Sequence, residues 1–143
     1  MPDVLISEVG PRDGLQSVAR VMPTAQKRAW ISVRAAIGHQ TGAAHLHNTR
    51  GLGLANCLAA LDVGVRKFDA SLGGLSGYPY APGTSGNAVT EDLVFMLEAM
   101  GLRTGVDIEA LIEAREPLKQ GLPGEPLYGM TPEAGVPKGF GHG

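Results

Sequence analysis

The sequence predicts an α/β fold built on parallel strands. Three observations lead there. Short β-rich runs recur along the chain, segments with helical apolar spacing separate them, and polar residues gather where the runs end. Strands that alternate with helices pair in parallel through helical crossovers rather than as hairpins. In such sheets, ligand sites form beyond the carboxyl ends of the strands.

The first run, Val4-Leu5-Ile6, ends at Gly10-Pro11, which predicts a buried strand over residues 3–9. Pro23-Thr24 offers a helix start with Thr24 as N-cap, and Ala25, Ala29, Trp30, Val33 and Ile37 give a ragged apolar stripe ending at Gly38. Residues 43–47 are the next strand candidate. Leu54, Leu58 and Leu61 sit at helical spacing between Gly53 and Gly64 and predict a helix there. Phe68, Ala70 and Leu72 alternate with Asp69 and Ser71, the period of a third strand. Thr90 is placed to cap a further helix, with Glu91 and Asp92 in its first turn favourable against the helix dipole. Leu93, Met96, Leu97 and Met100 form its expected buried face, and Gly101 its stop. A last short helix is expected over 107–114, before Pro117.

Glycine and proline punctuate this order unevenly. Residues 73–86 hold seven of them between strongly patterned segments, which predicts an ordered loop with unusual backbone angles. Residues 121–143 hold eleven and show no hydrophobic periodicity, so residues 116–143 read as an irregular C-terminal tail. The other 115 residues form one modest domain, since 143 are too few for two good cores.

Hydrophobic residues make up 43% of the chain and charged residues 18%, the mix of a soluble globular protein. A net charge of −2 without a basic stripe argues against nucleic acid as a partner. No stretch approaches the roughly 20 apolar residues that span a bilayer, so no membrane partner is expected. A single cysteine, Cys57, and an N-terminus without a signal-peptide pattern lead us to expect a cytoplasmic protein.

Three motifs carry candidate chemistry. Glu8-Val9-Gly10-Pro11-Arg12-Asp13-Gly14-Leu15-Gln16 follows the first strand and sets a carboxylate beside a cation on a turn. That pair is either a metal ligand next to an oxyanion-stabilising arginine or an ordinary surface ion pair. In His45-Leu46-His47, residues two apart on a strand face the same way, about 6.6 Å apart along the chain, so both imidazoles can serve one metal ion. Such a short pattern also arises by chance. The loop Asp69-Ala70-Ser71-Leu72-Gly73-Gly74-Leu75-Ser76-Gly77-Tyr78-Pro79-Tyr80-Ala81-Pro82-Gly83-Thr84-Ser85-Gly86-Asn87 can fold over a substrate, with Asn87 supplying a carbonyl oxygen. Its prolines and tyrosines argue against a flexible linker, and no Gly-Lys-Ser/Thr closes it as a phosphate cradle.

Taken together, these motifs resemble hydroxymethylglutaryl-CoA lyases. Residues 8–16 match the family's opening strand-and-turn motif, 45–60 the segment before its signature loop, and 68–97 the signature loop with its following helix. The resemblance implies a (β/α)₈ TIM barrel present in part, with about three of its eight parallel strands. It implies a divalent metal, Mg²⁺ or Mn²⁺, held by Asp13, His45, His47 and Asn87. Arg12 matches the family's catalytic arginine, His45 can also serve as a proton-transfer group in such a scheme, and Tyr78 stands where the family has a cysteine in its signature loop. The implied reaction is cleavage of an acyl-CoA substrate, 3-hydroxy-3-methylglutaryl-CoA, to acetyl-CoA and acetoacetate. A metal and an arginine suit it because both stabilise developing oxyanions.

Two departures qualify that expectation. A phenol, with an ordinary pKa near 10, is a poorer acid–base group at neutral pH than a thiol, so Tyr78 predicts slower chemistry. The family's pattern also leaves off and resumes near residues 31–33, as an internal deletion would leave it. The second to sixth strands are then missing, and the exposed strand edges predict association between copies of the chain. Three readings follow: a crippled lyase, a non-catalytic fragment that binds metal or a partner chain, or an oligomer whose pooled strands rebuild the barrel.

Overall fold

A computed structural model describes residues 43–75 and 86–140 of the chain. The expected first strand and first helix, the junction near 31–33, Arg12, Asp13 and Tyr78 lie outside the described residues.

The described part begins with a parallel β-α-β unit. Strand β1 (Ala44–His45) runs through a 3₁₀ turn at Thr49–Gly51 into helix α1 (Gly53–Asp62), then into strand β2 (Phe68–Asp69). The two strands form a parallel sheet with Ala44 opposite Phe68 and His45 opposite Asp69. Residues 86–89 lie along both strands. Ala88 N–H donates to the Leu46 carbonyl at 2.8 Å and Asn48 N–H to the Gly86 carbonyl at 3.0 Å, on an antiparallel bridge between His47 and Asn87. On the other side, Ser71 N–H donates to the Ala88 carbonyl and Thr90 N–H to the Ser71 carbonyl, both at 3.0 Å. The strands are thus two residues long and are lengthened by isolated bridges.

Helix α2 (Thr90–Ala99) follows and supplies most of the core. Cys57 from α1, Leu93 from α2 and Ala88 between them are nearly inaccessible, and Leu46, Leu54, Phe68, Ala70, Met96 and Leu97 pack against them. Apolar burial of this kind stabilises by roughly 25 cal/mol per Å² removed from water. Both helices stop where the glycine spacing predicts. Gly64 and Gly101 have φ of 86° and 78°, a region costly for any residue with a Cβ. At each stop the next two amides bond back in a Schellman pair: Gly64 to Leu61 and Val65 to Ala60, then Gly101 to Glu98 and Leu102 to Leu97.

Three expectations are corrected. Thr90 is the first helical residue of α2 and not its cap, because the chain enters from extended Val89 and no side chain caps the start. Met100 is 49% exposed, since it lies past the last helical residue, where the chain turns toward Gly101. The helix expected between Gly53 and Gly64 is present as α1, and its buried face is Gly53, Cys57 and Leu61.

The third correction concerns the C-terminal segment, residues 116–143, which is not irregular throughout. After α3 (Ile108–Glu113), the expected last short helix, it contains α4 (Arg115–Gly121) and α5 (Met130–Ala134). Asp107 caps α3 by accepting from Glu109 and Ala110 N–H at 3.0 and 3.1 Å. Pro117 lies in the first turn of α4, where a missing N–H costs nothing. The segment then docks onto α2, with Phe95 stacked on Phe140 at a centroid distance of 4.8 Å. Among the described residues no helix is long and apolar enough to cross a membrane.

Burial at 1% exposure pushes the Cys57 thiol up to about 11 by desolvation. Its pKa is raised in the fold, so above pH 9 the unfolded chain loses its proton first. Stability therefore falls as pH rises from about 9 to about 11, with a slope of at most about 1.4 kcal/mol per pH unit. Denaturant titrations across that window should show the slope in the natural chain and lose it in Cys57→Ala. A thiol reagent at pH 8 should label Cys57 only when the protein unfolds.

Candidate functional site

The site assembles where β1, β2 and the segment after the glycine-rich loop meet. His45 and His47 leave β1 on the same face, their ring centroids 5.3 Å apart and inclined at 72°. The parallel register sets Asp69 of β2 directly beside His45, and its Oδ2 lies 2.9 Å from His45 Nδ1. The bridge between His47 and Asn87 brings the asparagine to the same place from the other side. Three of the expected metal ligands, His45, His47 and Asn87, are therefore brought together by strand pairing rather than by a flexible loop.

Asn87 is held by its amide and left open at its oxygen. Nδ2 donates to the Leu75 carbonyl at 3.3 Å. Oδ1 is buried and, among the described residues, has no hydrogen-bond partner. A buried unsatisfied carbonyl costs about 1–3 kcal/mol, and in a folded protein it calls for a partner such as an ion or a ligand. One amide oxygen beside two imidazoles is a donor set of the kind that hard divalent cations accept. These residues fit the group the resemblance implies. The described residues contain no cluster of three His, Cys, Asp or Glu able to hold a metal, and Asp13, the expected fourth ligand, lies outside them.

A buried network sets the base of the glycine-rich loop. Glu91 is fully buried, and both its oxygens accept from Gly73 N–H at 3.1 Å. Arg115 Nη1 pairs with Glu91 and also donates to the Tyr128 carbonyl at 2.9 Å. Tyr128 N–H closes the circuit on the Gly73 carbonyl at 2.8 Å. The neighbouring Asp92 accepts from Met130 N–H at 3.0 Å and Thr131 N–H at 2.7 Å, across 38 and 39 residues. The sequence placed Glu91 and Asp92 against the dipole of their own helix. Their side chains are taken by the loop and the C-terminal segment instead.

Asp69 was also missed, having been read as the polar member of an alternating strand. The signal for it lay in the parallel register, which sets a residue 24 positions downstream beside His45.

The elements so far define a class: a parallel α/β unit carrying polar side chains at the ends of its strands. The HMGL-like family model matches residues 32–117, and the chain belongs to that family. Its fold is the family's TIM barrel in part, seen here as a two-stranded parallel sheet with helices. It is 52% identical over 85 residues to hydroxymethylglutaryl-CoA lyase YngG of Bacillus subtilis, covering 59% of this chain and 28% of that protein. It is 50% identical over 91 residues to (R)-citramalyl-CoA lyase of Chloroflexus aurantiacus, covering 64% and 28%. Among solved structures, an HMG-CoA lyase from Acinetobacter baumannii in complex with coenzyme A and 3-methylmalate matches with a TM-score of 0.71 and 44% identity, over 82% of this chain and 39% of that one. The hydroxymethylglutaryl-CoA lyase of Pseudomonas aeruginosa matches with a TM-score of 0.70 and 35% identity, over 80% and 38%. The chain spans little more than a quarter of the length of these curated relatives.

Proposed function

We propose that this chain carries the metal-binding part of a carbon–carbon lyase that acts on 3-hydroxy-3-methylglutaryl-CoA. The observation that carries the reading is the buried Oδ1 of Asn87, unpartnered among the described residues and held beside His45 and His47 by strand pairing. Relatives named as lyases of this acyl-CoA support the substrate class, as does a structural neighbour with coenzyme A bound.

In this reading Asp13, His45, His47 and Asn87 hold a divalent cation, Mg²⁺ or Mn²⁺. The cation supplies charge stabilisation for substrate oxygens. Arg12 stabilises negative charge that develops on the substrate, and Nε2 of His45 serves either as the cation's ligand or as the base for the tertiary hydroxyl, since one nitrogen cannot do both at once. Tyr78 takes the cysteine's place as the acid that returns a proton to the product. A phenol is poorly matched to that task near neutral pH, which limits the rate.

A second reading is a non-catalytic fragment that binds metal or pairs with another chain. The chain's coverage of 28% of its relatives favours it, because the missing strands would carry further site residues. Exposed strand edges favour association between copies in either case.

Acetoacetate release from 3-hydroxy-3-methylglutaryl-CoA with Mn²⁺, compared with a His45→Ala control, tests the first reading. Metal-dependent turnover that the control loses is the expected result, and Tyr78→Cys should raise it at least tenfold. No turnover in either the natural chain or Tyr78→Cys, from folded protein that binds Mn²⁺, would establish the fragment reading.

A further inference from the structure

His45 is given one of two tasks by the reading above, and either requires that one ring nitrogen be committed and the other left open. We propose that Asp69 is a positioning residue for His45, holding the imidazole in its Nδ1–H tautomer so that Nε2 is the nitrogen offered to a cation or a proton. The inference deepens the proposed function and rests on it for the use of Nε2; the tautomer itself follows from the geometry alone.

Three observations support it. Asp69 Oδ2 lies 2.9 Å from His45 Nδ1, and an ionised carboxylate can only accept, so that nitrogen carries the hydrogen. The contact is set by backbone, because His45 and Asp69 are register partners of adjacent parallel strands. It is therefore not a chance meeting of long side chains. Finally, the Asp69 side chain is 60% exposed and that of His45 30%, a setting in which an ion pair adds little to stability. What the contact does supply is orientation. It fixes the His45 ring at one nitrogen, and the edge-to-face packing against His47 fixes its plane. A carboxylate that orients a ligating histidine through its second nitrogen also raises the basicity of the first.

The test uses ¹⁵N-labelled full-length chain without metal at pH 8. Long-range ¹H–¹⁵N spectra of the imidazoles give each tautomer, and the His45 signals are assigned by their loss in His45→Gln. The natural chain should show His45 as Nδ1–H. Asp69→Ala should move it toward Nε2–H, while Asp69→Asn, which keeps an accepting oxygen, should retain Nδ1–H. Mn²⁺ titrations followed by electron paramagnetic resonance should then show binding weakened 10- to 100-fold in Asp69→Ala and less in Asp69→Asn. An Nε2–H tautomer in the natural chain, or a tautomer unchanged in Asp69→Ala, overturns the positioning role. If the natural chain binds no Mn²⁺ yet its tautomer depends on Asp69, the metal reading fails and the positioning role stands.

Discussion

Arg115→Ala is expected to lower folding stability by about 3–5 kcal/mol, because it strands a buried carboxylate. Glu91 is fully buried, and Arg115 supplies its only cationic partner among the described residues. The same substitution removes a donor from the Tyr128 carbonyl. Against a total stability of about 5–15 kcal/mol for a typical domain, a loss of this size leaves much of the protein unfolded near body temperature. The comparison is internal. Glu116 and Lys119 also pair, at 3.8 Å, but both side chains are more than half exposed. Lys119→Ala should therefore change stability by less than about 0.5 kcal/mol. Urea titrations of the two variants should separate them clearly. Equal effects would mean that burial of the Glu91–Arg115 pair does not govern its contribution.

The second large effect concerns metal binding rather than folding. Asn87→Ala removes a buried oxygen that has no partner among the described residues and, with it, one 3.3 Å hydrogen bond to Leu75. The relief of about 1–3 kcal/mol and the loss of about 0.5–1.5 nearly offset, so stability without metal should change little. With Mn²⁺ present the two proteins should diverge. At a cation concentration a hundred times its Kd, binding stabilises the natural chain by about 2.7 kcal/mol, and the variant should lose most of this. Thermal melts with and without Mn²⁺ give both quantities. A variant that is strongly destabilised without metal but still stabilised by Mn²⁺ would show that Asn87 is a packing residue.

These two cases also show what the sequence could reveal and why it stopped. Helices α1 and α2 were legible because their signals are local: leucines at helical spacing and a glycine at each end. The pairing of His45 with His47 was legible for the same reason, since strand periodicity alone places them on one face. Asn87 could be nominated from its loop as a carbonyl oxygen donor, but that this oxygen is buried and open is a property of the fold. The partners of Glu91, Asp92 and Asp69 lie 18 to 39 residues away along the chain. No local pattern encodes contacts of that length. The segment after residue 115 looked irregular because it is held mainly by carboxylates and backbone amides, which leave no hydrophobic period to read.

Glu91 and Asp92 are consecutive residues in the first turn of one helix, yet they grip two different parts of the chain. Glu91 holds the Gly73 amide, and Asp92 holds those of Met130 and Thr131. Any fluctuation that frays this turn releases all three amides at once. The base of the glycine-rich loop and the start of the last described helix therefore open as a single unit, with one opening free energy shared by Gly73, Met130 and Thr131. Their amide protons would exchange with solvent at a common protection level, although the loop and that helix are more than fifty residues apart in the sequence.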